Sequence, residues 1–346
     1  GNFAGEGYHY KAGTDHAEVV ALKAAGDKAR GGTLYVTLEP CNHIGRTPAC
    51  TEAILAAGIR SVHIAMADPN PHVKGGGIER LRAAGLDVTV GDSEKEARTL
   101  NRAFIHWSET ERPWVHLKAA VSLDGKIATK TGESRYISHP AALSFVHDLR
   151  RQHDAILVGV QTVLMDDPAL TYRGTPPGRD PVRIVLDSHG RTPPSARIFQ
   201  SGSLAPTLIV TTSHASLTWE RDIFSAGGEV LRVPADESGR VALLPMLQQL
   251  GERHILSVLV EGGAHVHGSF IDADLADQIT MIYAPIIIGG LAPSAIAGQG
   301  IAHLADSVRF AVESIATYGT DVCISAQRIQ SSLKEDTPCL PDSSKR

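Results

Sequence analysis

Between Thr33 and Gly91 the chain alternates short apolar runs with stretches of helical period. Thr33-Leu34-Tyr35-Val36-Thr37-Leu38, Ser61-Val62-His63-Ile64-Ala65-Met66 and Val88-Thr89-Val90 read as strands. Segments from about Cys50 to Ala57 and from about Gly77 to Ala84 read as the helices between them. That order predicts a largely parallel sheet with helices on its faces. A further helix is expected from about Glu94 to Trp107, after which Glu111-Arg112-Pro113 breaks the pattern and sets a domain boundary. The second half restarts with the strand Trp114 to Ser122 and the turn Leu123-Asp124-Gly125. Further strands are expected at Ala155 to Gly159, Val182 to Asp187, Thr207 to Thr212, Ser257 to Val260 and Gln278 to Tyr283. Helical segments separate most of them, so the second half is another α/β domain. No repeat links the halves. From Ser331 onward the chain is mainly Ser, Asp, Pro and Lys, which cannot bury a core and reads as a disordered tail.

The length of 346 residues and a hydrophobic fraction of 42% suit two ordinary cores. A formal net charge of −5 argues against the broad basic surface that nucleic-acid binding needs. Four cysteines, Cys41, Cys50, Cys323 and Cys339, suggest no disulfide framework. No apolar stretch is long enough to cross a bilayer and no charged-then-apolar leader is present, so a cytoplasmic location is expected and no membrane partner.

Chemistry enters with His16-Ala17-Glu18, followed by Pro40-Cys41 and Cys50. One His and two Cys can hold zinc with a fourth position open, where a water's pKa falls to about 7. A carboxylate two residues from a ligand His can shuttle protons between that water and a leaving amine. The deaminase signature H-x-E followed by P-C-x-x-C is matched in its first half only, because eight residues separate Cys41 from Cys50. The insert, Asn42 to Ala49, is polar, basic and turn-forming, and is placed to touch a substrate. Residues two apart do not stack on one helix face, so His16 and Glu18 converge best in a helix's first turn, and Cys50 reads as the start of another helix. Plainer readings stand beside this one. Asp15 and Glu18 form a possible capping box, each cysteine is a possible buried hydrophobe, and His43 could complete a closed structural zinc site.

The run Thr37 to Cys50, continued by Asp68-Pro69-Asn70-Pro71, resembles the deaminase half of the bifunctional deaminase/reductases of riboflavin biosynthesis. Matching segments of the reductase half follow in order: Leu117 to Gly125, Asp154 to Gly159, Thr162 to Thr171 and Val260-Glu261-Gly262-Gly263. The resemblance implies an α/β protein, a cytidine-deaminase-like three-layer domain over 1–111 followed by a dihydrofolate-reductase-like domain over 112–330, with the tail at 331–346. It implies one Zn2+ per chain on His16, Cys41 and Cys50, with Glu18 as the catalytic acid–base. The implied first substrate is 2,5-diamino-6-(5-phosphoribosylamino)pyrimidin-4-one, and NADPH would then reduce the ribosyl group of the deaminated product. A small phosphorylated pyrimidine is thus the expected partner, with no nucleic acid, and a homo-oligomer is expected although its size is not set by sequence.

Taken alone, Glu261-Gly262-Gly263-Ala264 after an apolar run is a weak phosphate signal, and a purely structural strand-to-helix turn explains it as well. By resemblance, Ala120, Tyr136, Thr162, Asp166, Ser188 and the turn Gly263, Ala264, His265, Val266, His267, Gly268 and Ser269 would line the nicotinamide nucleotide. Ser134, Arg150, Leu170, Arg173 and Glu261 would line the substrate. An arginine's fork of donors matches a phosphate bidentately, the alternative being a solvated helix face at Leu149-Arg150-Arg151. Two positions depart from the family: Tyr136 replaces the usual Trp, and Leu143 occupies a usually basic site. Gly5-Glu6-Gly7-Tyr8-His9 lies so close before His16 that the first helix and first strand of the deaminase half are expected to be missing, leaving a fragment with a weakened deaminase. Two rivals remain: a zinc deaminase of nucleosides or tRNA fused to an unrelated domain, and a regulatory module with a closed zinc site.

Overall fold

The computed structural model describes residues 1–11, 13–45, 47–70, 76–134 and 137–329. The chain divides into two compact units, Gly1–Glu111 and Arg112–Arg346. The expected tail at 331–346 lies outside the described residues.

The first unit is built on a parallel sheet in the order β1-β2-β3, with β1 Thr33–Val36, β2 Ser61–Ile64 and β3 Asp87–Val90. Its helices are α1 Ala17–Ala25, α2 Cys50–Ala56, α3 Gly77–Ala83, α4 Glu94–Leu100 and α5 Arg102–Thr110. Alternation along the strands sends Leu34, Val36, Val62, Ile64 and Val88 into a core with Leu22, Ile54, Ile78 and Leu81. The opposite face is polar: Thr33 Oγ1 bonds Ser61 Oγ at 2.8 Å, and exposed Tyr35 stacks on His63 at 4.8 Å. The single helix expected from Glu94 to Trp107 is two helices. Asn101 sits between them at φ −95°, ψ 11°, and its side-chain amide reaches the Met66 sulfur at 3.8 Å. Asn tolerates such non-helical positions because its side chain offers an alternative to the helix ladder. Gly7 lets the segment before α1 lie on that helix, since a Cβ there would stand 2.5 Å from the Ala17 carbonyl oxygen.

The second unit contains a nine-stranded sheet. Its strands are β4 Trp114–Ser122, β5 Ala155–Gly159, β6 Val182–Leu186, β7 Thr207–Thr211, β8 Glu229–Arg232, β9 Ser257–Gly262, β10 Gln278–Ala284, β11 Phe310–Tyr318 and β12 Asp321–Arg328. The spatial order is β11-β12-β10-β4-β9-β5-β6-β7-β8, parallel from β10 to β8, with β12 antiparallel to β10 and β11 antiparallel to β12. Helices α6 Pro140–Gln152, α7 Val160–Asp166, α8 Arg197–Gln200, α9 Leu217–Ser225, α10 Leu243–Glu252 and α11 Ala264–Asp272 connect the strands. β5 is buried at all five positions, as a central parallel strand covered on both faces must be. One core joins β4, β5, β9 and α10 through Leu117, Leu157, Val260, Met246 and Leu250; the other packs Ile156, Val185 and Ile209 against Val163, Ile198 and Ile223. β8, β11 and β12 were not expected from the sequence. β8 is four residues with charged ends, and a bulge between Val312 and Ser314 breaks the period-two signal of β11.

Candidate functional site

In the first unit three chain segments bring His16, Cys41 and Cys50 together, their donor atoms all within 4.8 Å of one another. His16 is the N-cap of α1, in extended backbone with no side-chain capping bond, which frees its ring to point elsewhere. Cys41 follows β1 after Pro40, and Cys50 opens α2. His16 Nδ1 lies 3.2 Å from Cys50 Sγ and 3.5 Å from Cys41 Sγ, and the two sulfurs share a hydrogen bond at 3.4 Å. The Cys50 amide also donates to Cys41 Sγ at 3.3 Å. The bond from Cys50 holds the Cys41 thiol down at about 5 against the effect of burial. That bond, with burial and the neighbouring Glu18, pushes the Cys50 thiol up. A divalent cation between the sulfurs would let both ionise, and one imidazole with two thiolates is a donor set suited to zinc.

Glu18, in the first turn of α1, is half-buried beside the same atoms. Burial raises its carboxyl above the ordinary carboxylate value, opposed by its own backbone amide and by His16. The capping-box reading fails, because the cap position belongs to His16 and the Asp15 carboxylate pairs with Lys23 Nζ at 2.5 Å. A cavity of about 230 Å³ opens at this cluster, walled by His9, His16, Cys41, His43 and Thr47 among others. His43 is on that wall but is not one of the three converging groups. Thr47 Oγ1 stands 3.4 Å from His16 Nε2, and the His9 ring meets the His16 ring edge-on at 5.1 Å. Contacts of this kind fix the orientation of a ligand ring.

In the second unit a cleft of about 1160 Å³ runs from the start of α7, past the end of β6, to the first turns of α11. Of the residues expected around the nucleotide, Ser188, His265, Val266 and Ser269 line it. The segment expected as a turn is helical: Gly263 is the N-cap of α11, and Ala264 to Ser269 are its first six residues. Successive positions on a helix face different ways, so His267 and Gly268 turn from the cleft. The His267 ring lies between the Val260 and Ala295 carbonyls at 3.2 and 3.1 Å, and Gly268 packs on the Ala297 backbone. Gly262–Gly263 is a cis peptide, and Thr162 Oγ1 is its neighbour. Ala120 is half-buried in β4. Asp166 ends α7, where Ser134 Oγ reaches its carboxylate at 3.5 Å. Tyr136 lies outside the described residues.

Of the residues expected around the substrate, Arg150 and Glu261 bind each other. Arg150 Nε and Nη2 donate to the two Glu261 oxygens at 2.6 and 2.8 Å, and Nη1 donates to the Thr171 carbonyl at 3.0 Å. Both side chains are nearly buried, at 12% and 8% exposure, so the solvated-face reading of Arg150 fails. The donors of its fork are engaged by Glu261 and by the Thr171 carbonyl. Burial would raise the Glu261 carboxyl, but the Arg150 charge and hydrogen bonds, with Lys118 and His147, bring it down to about 2. Arg173 is exposed, with Nη1 on Thr171 Oγ1 at 3.2 Å and its amide on His147 Nδ1 at 3.2 Å. Leu170 is a core residue at φ 51°, and Leu143 is half-exposed on α6.

Lys118 was not singled out from the sequence. It sits within β4, where burial and Arg150 pull its ammonium down while Glu261 holds it up. The signal was present, since one lysine interrupts the otherwise apolar middle of Trp114–Ser122.

Residues 1–66 match the family described as cytidine and deoxycytidylate deaminase zinc-binding region, and residues 113–324 match the RibD C-terminal domain. The riboflavin biosynthesis protein RibD of Bacillus amyloliquefaciens is 43% identical over 323 residues, covering 93% of this chain and 86% of that one. Acinetobacter baumannii RibD superposes with a TM-score of 0.83 at 33% identity, covering 94% of this chain and 89% of that one. A diaminohydroxyphosphoribosylaminopyrimidine deaminase/5-amino-6-(5-phosphoribosylamino)uracil reductase from Thermotoga maritima superposes with a TM-score of 0.81 at 35% identity, covering 94% and 88%.

Proposed function

This chain belongs to the RibD family of riboflavin biosynthesis proteins, and from that premise we propose that each of its units carries one of two consecutive reactions. In the first, 2,5-diamino-6-(5-phosphoribosylamino)pyrimidin-4-one and water give 5-amino-6-(5-phosphoribosylamino)uracil and ammonia. In the second, NADPH and a proton reduce the ribosyl group of that product to ribityl. The observation that carries the reading is the convergence of His16 Nδ1, Cys41 Sγ and Cys50 Sγ beside the half-buried Glu18.

His16, Cys41 and Cys50 would hold the zinc, which would supply the acidity that makes water nucleophilic near neutral pH. Glu18 takes a proton from the attacking water and returns it to the departing amine, and its raised pKa suits both halves of that task. NADPH in the large cleft supplies a hydride. Arg191 and Arg240 stand on the cleft wall beside Ser188 and add positive charge where a dinucleotide's phosphates would lie. Arg173, exposed and with its guanidinium near Arg150 and Arg197, is the cation for the substrate phosphate. Glu261, fixed by Arg150, orients the sugar, and Lys118 beside it gives the proton that the reduction consumes.

The test is Glu18→Gln. It keeps a hydrogen-bonding group of the same size but removes the titratable carboxyl, so zinc content stays at one per chain while ammonia release falls about 10²-fold or more. Loss of zinc, or unchanged ammonia release, would overturn the assignment. The reading also places the chain in the cytoplasm, where two metal-binding thiols stay reduced. It includes a homo-oligomer, supported by the edge strand β11, whose Val312 and Ile315 are 59% and 66% exposed. A monomer mass by light scattering would remove that last element.

A further inference from the structure

Glu39 lies two residues before Cys41 and one before buried Pro40. Its own amide is held by the Met66 carbonyl at 3.0 Å, which docks the end of β1 beside the end of β2. Its carboxylate accepts three backbone N–H groups from outside that segment. Oε1 takes Gly77 at 2.9 Å and Ile78 at 3.2 Å, at the start of α3, and Oε2 takes Asp68 at 3.2 Å. Hydrogen bonds to an ionised acceptor are the strong class. The contact is also close-packed, since a Cβ on Gly77 would stand 2.0 Å from the Pro40 carbonyl oxygen and 3.3 Å from Glu39 Cγ. Asp68, held in this way, is near enough to His43 and Cys41 to feel their charges, and it turns its Oδ1 to the Asn70 amide at 2.9 Å. His43 and Cys41 are on the cavity wall, so the Asp68–Asn70 segment, held by one carboxylate, lies behind that wall and not on it.

Cys41 has separate anchors. Its sulfur takes the Cys50 amide, its carbonyl takes the Thr51 amide at 3.2 Å, and Thr51 Oγ1 bonds the Asn42 side chain at 3.0 Å. Two devices thus meet at Pro40: α2 fixes Cys41, and Glu39 fixes the segment behind the wall that Cys41 and His43 form.

We propose that Glu39 is a positioning residue for the deamination, which sets how well the pyrimidine is held and does not set metal binding. The proposal rests on the deaminase reading above, and its role is mechanical: Glu39 acts through Asp68, Asn70 and the first turn of α3. Glu39→Ala removes all three acceptor contacts. The expected result is a KM for the diaminopyrimidine phosphate raised about tenfold or more, with kcat changed by no more than about threefold. Zinc per chain and the reductase activity stay at the wild-type level. Glu39→Gln keeps one carbonyl oxygen for Gly77 and Ile78 but turns an amide nitrogen toward Asp68, so it recovers part of the lost affinity.

Amide hydrogen exchange on the same full-length, zinc-loaded proteins gives a readout that does not depend on activity. Exchange accelerates at Asp68, Gly77 and Ile78 in Glu39→Ala, and at Asp68 but less at Gly77 and Ile78 in Glu39→Gln. A fall in kcat at unchanged KM, loss of zinc, or wild-type exchange at those three amides would each overturn the proposal. Absence of ammonia release from the wild-type enzyme would instead defeat the deaminase reading, and the exchange pattern would still decide whether Glu39 holds the segment behind the wall.

Discussion

The ion pair of Arg150 and Glu261 shows how single residues divide the labour in the reductase unit. A buried guanidinium paired through its fork with a carboxylate leaves the exposed Arg173 as the cation open to solvent, which is why the proposal above gives the substrate phosphate to Arg173. Arg150→Ala would leave Glu261 buried and unpaired, and the expected cost to the unit's stability is about 3–5 kcal/mol by denaturant titration. A loss below 1 kcal/mol would show that Glu261 finds another partner. His147 gives a pH signature. Burial first, then Arg150 and Arg173, lowers its pKa to about 4 from the ordinary 6.5. Between those values the unfolded chain binds the extra proton, so stability that is complete above pH 6.5 is lost as pH falls toward 4. His147→Asn should flatten the dependence of the unfolding midpoint between pH 7 and 4.5, and an unchanged slope would assign the acid sensitivity elsewhere. At this scale the convergence of His16, Cys41 and Cys50 was legible in the sequence because H-x-E and P-C are short patterns with a specific chemistry. The Arg150–Glu261 contact, 111 positions apart, was not, and Lys118 was passed over for the same reason. Residue type alone does not say which partner a folded chain brings to it.

Among the elements, α11 shows how a helix packs closely beside a cleft. Glycine in a helix ordinarily costs about 1 kcal/mol relative to alanine. At Gly268 the balance reverses, because a Cβ would stand 1.9 Å from the Ala297 carbonyl oxygen and 2.9 Å from the Gly298 amide nitrogen. Those atoms are backbone, and Ala297 and Gly298 wall the large cleft together with His265, Val266 and Ser269. Gly268→Ala should therefore lower the melting temperature and weaken NADPH binding, measured by fluorescence titration, whereas a rise in melting temperature with unchanged affinity would show that the helix is free to move. The central strands were legible because buried parallel strands are continuous apolar runs. The break at Asn101, the short β8 and the bulged β11 were not, since each depends on a partner or a local irregularity that no periodicity records.

On the scale of the whole molecule, the proposed zinc ligands His16, Cys41 and Cys50 and Glu18 all fall within Gly1–Glu111, and the large cleft, the Arg150–Glu261 pair and Lys118 all fall within Arg112–Arg346. The two chemistries need different helpers. The most direct measurement is a paired assay of one zinc-loaded preparation before and after treatment with a zinc chelator. The first arm follows ammonia release from the diaminopyrimidine phosphate, and the second follows NADPH oxidation on the deaminated product. The account predicts that chelation abolishes the first and leaves the second at its starting rate, with zinc restoring the first. Equal loss of both activities would contradict it.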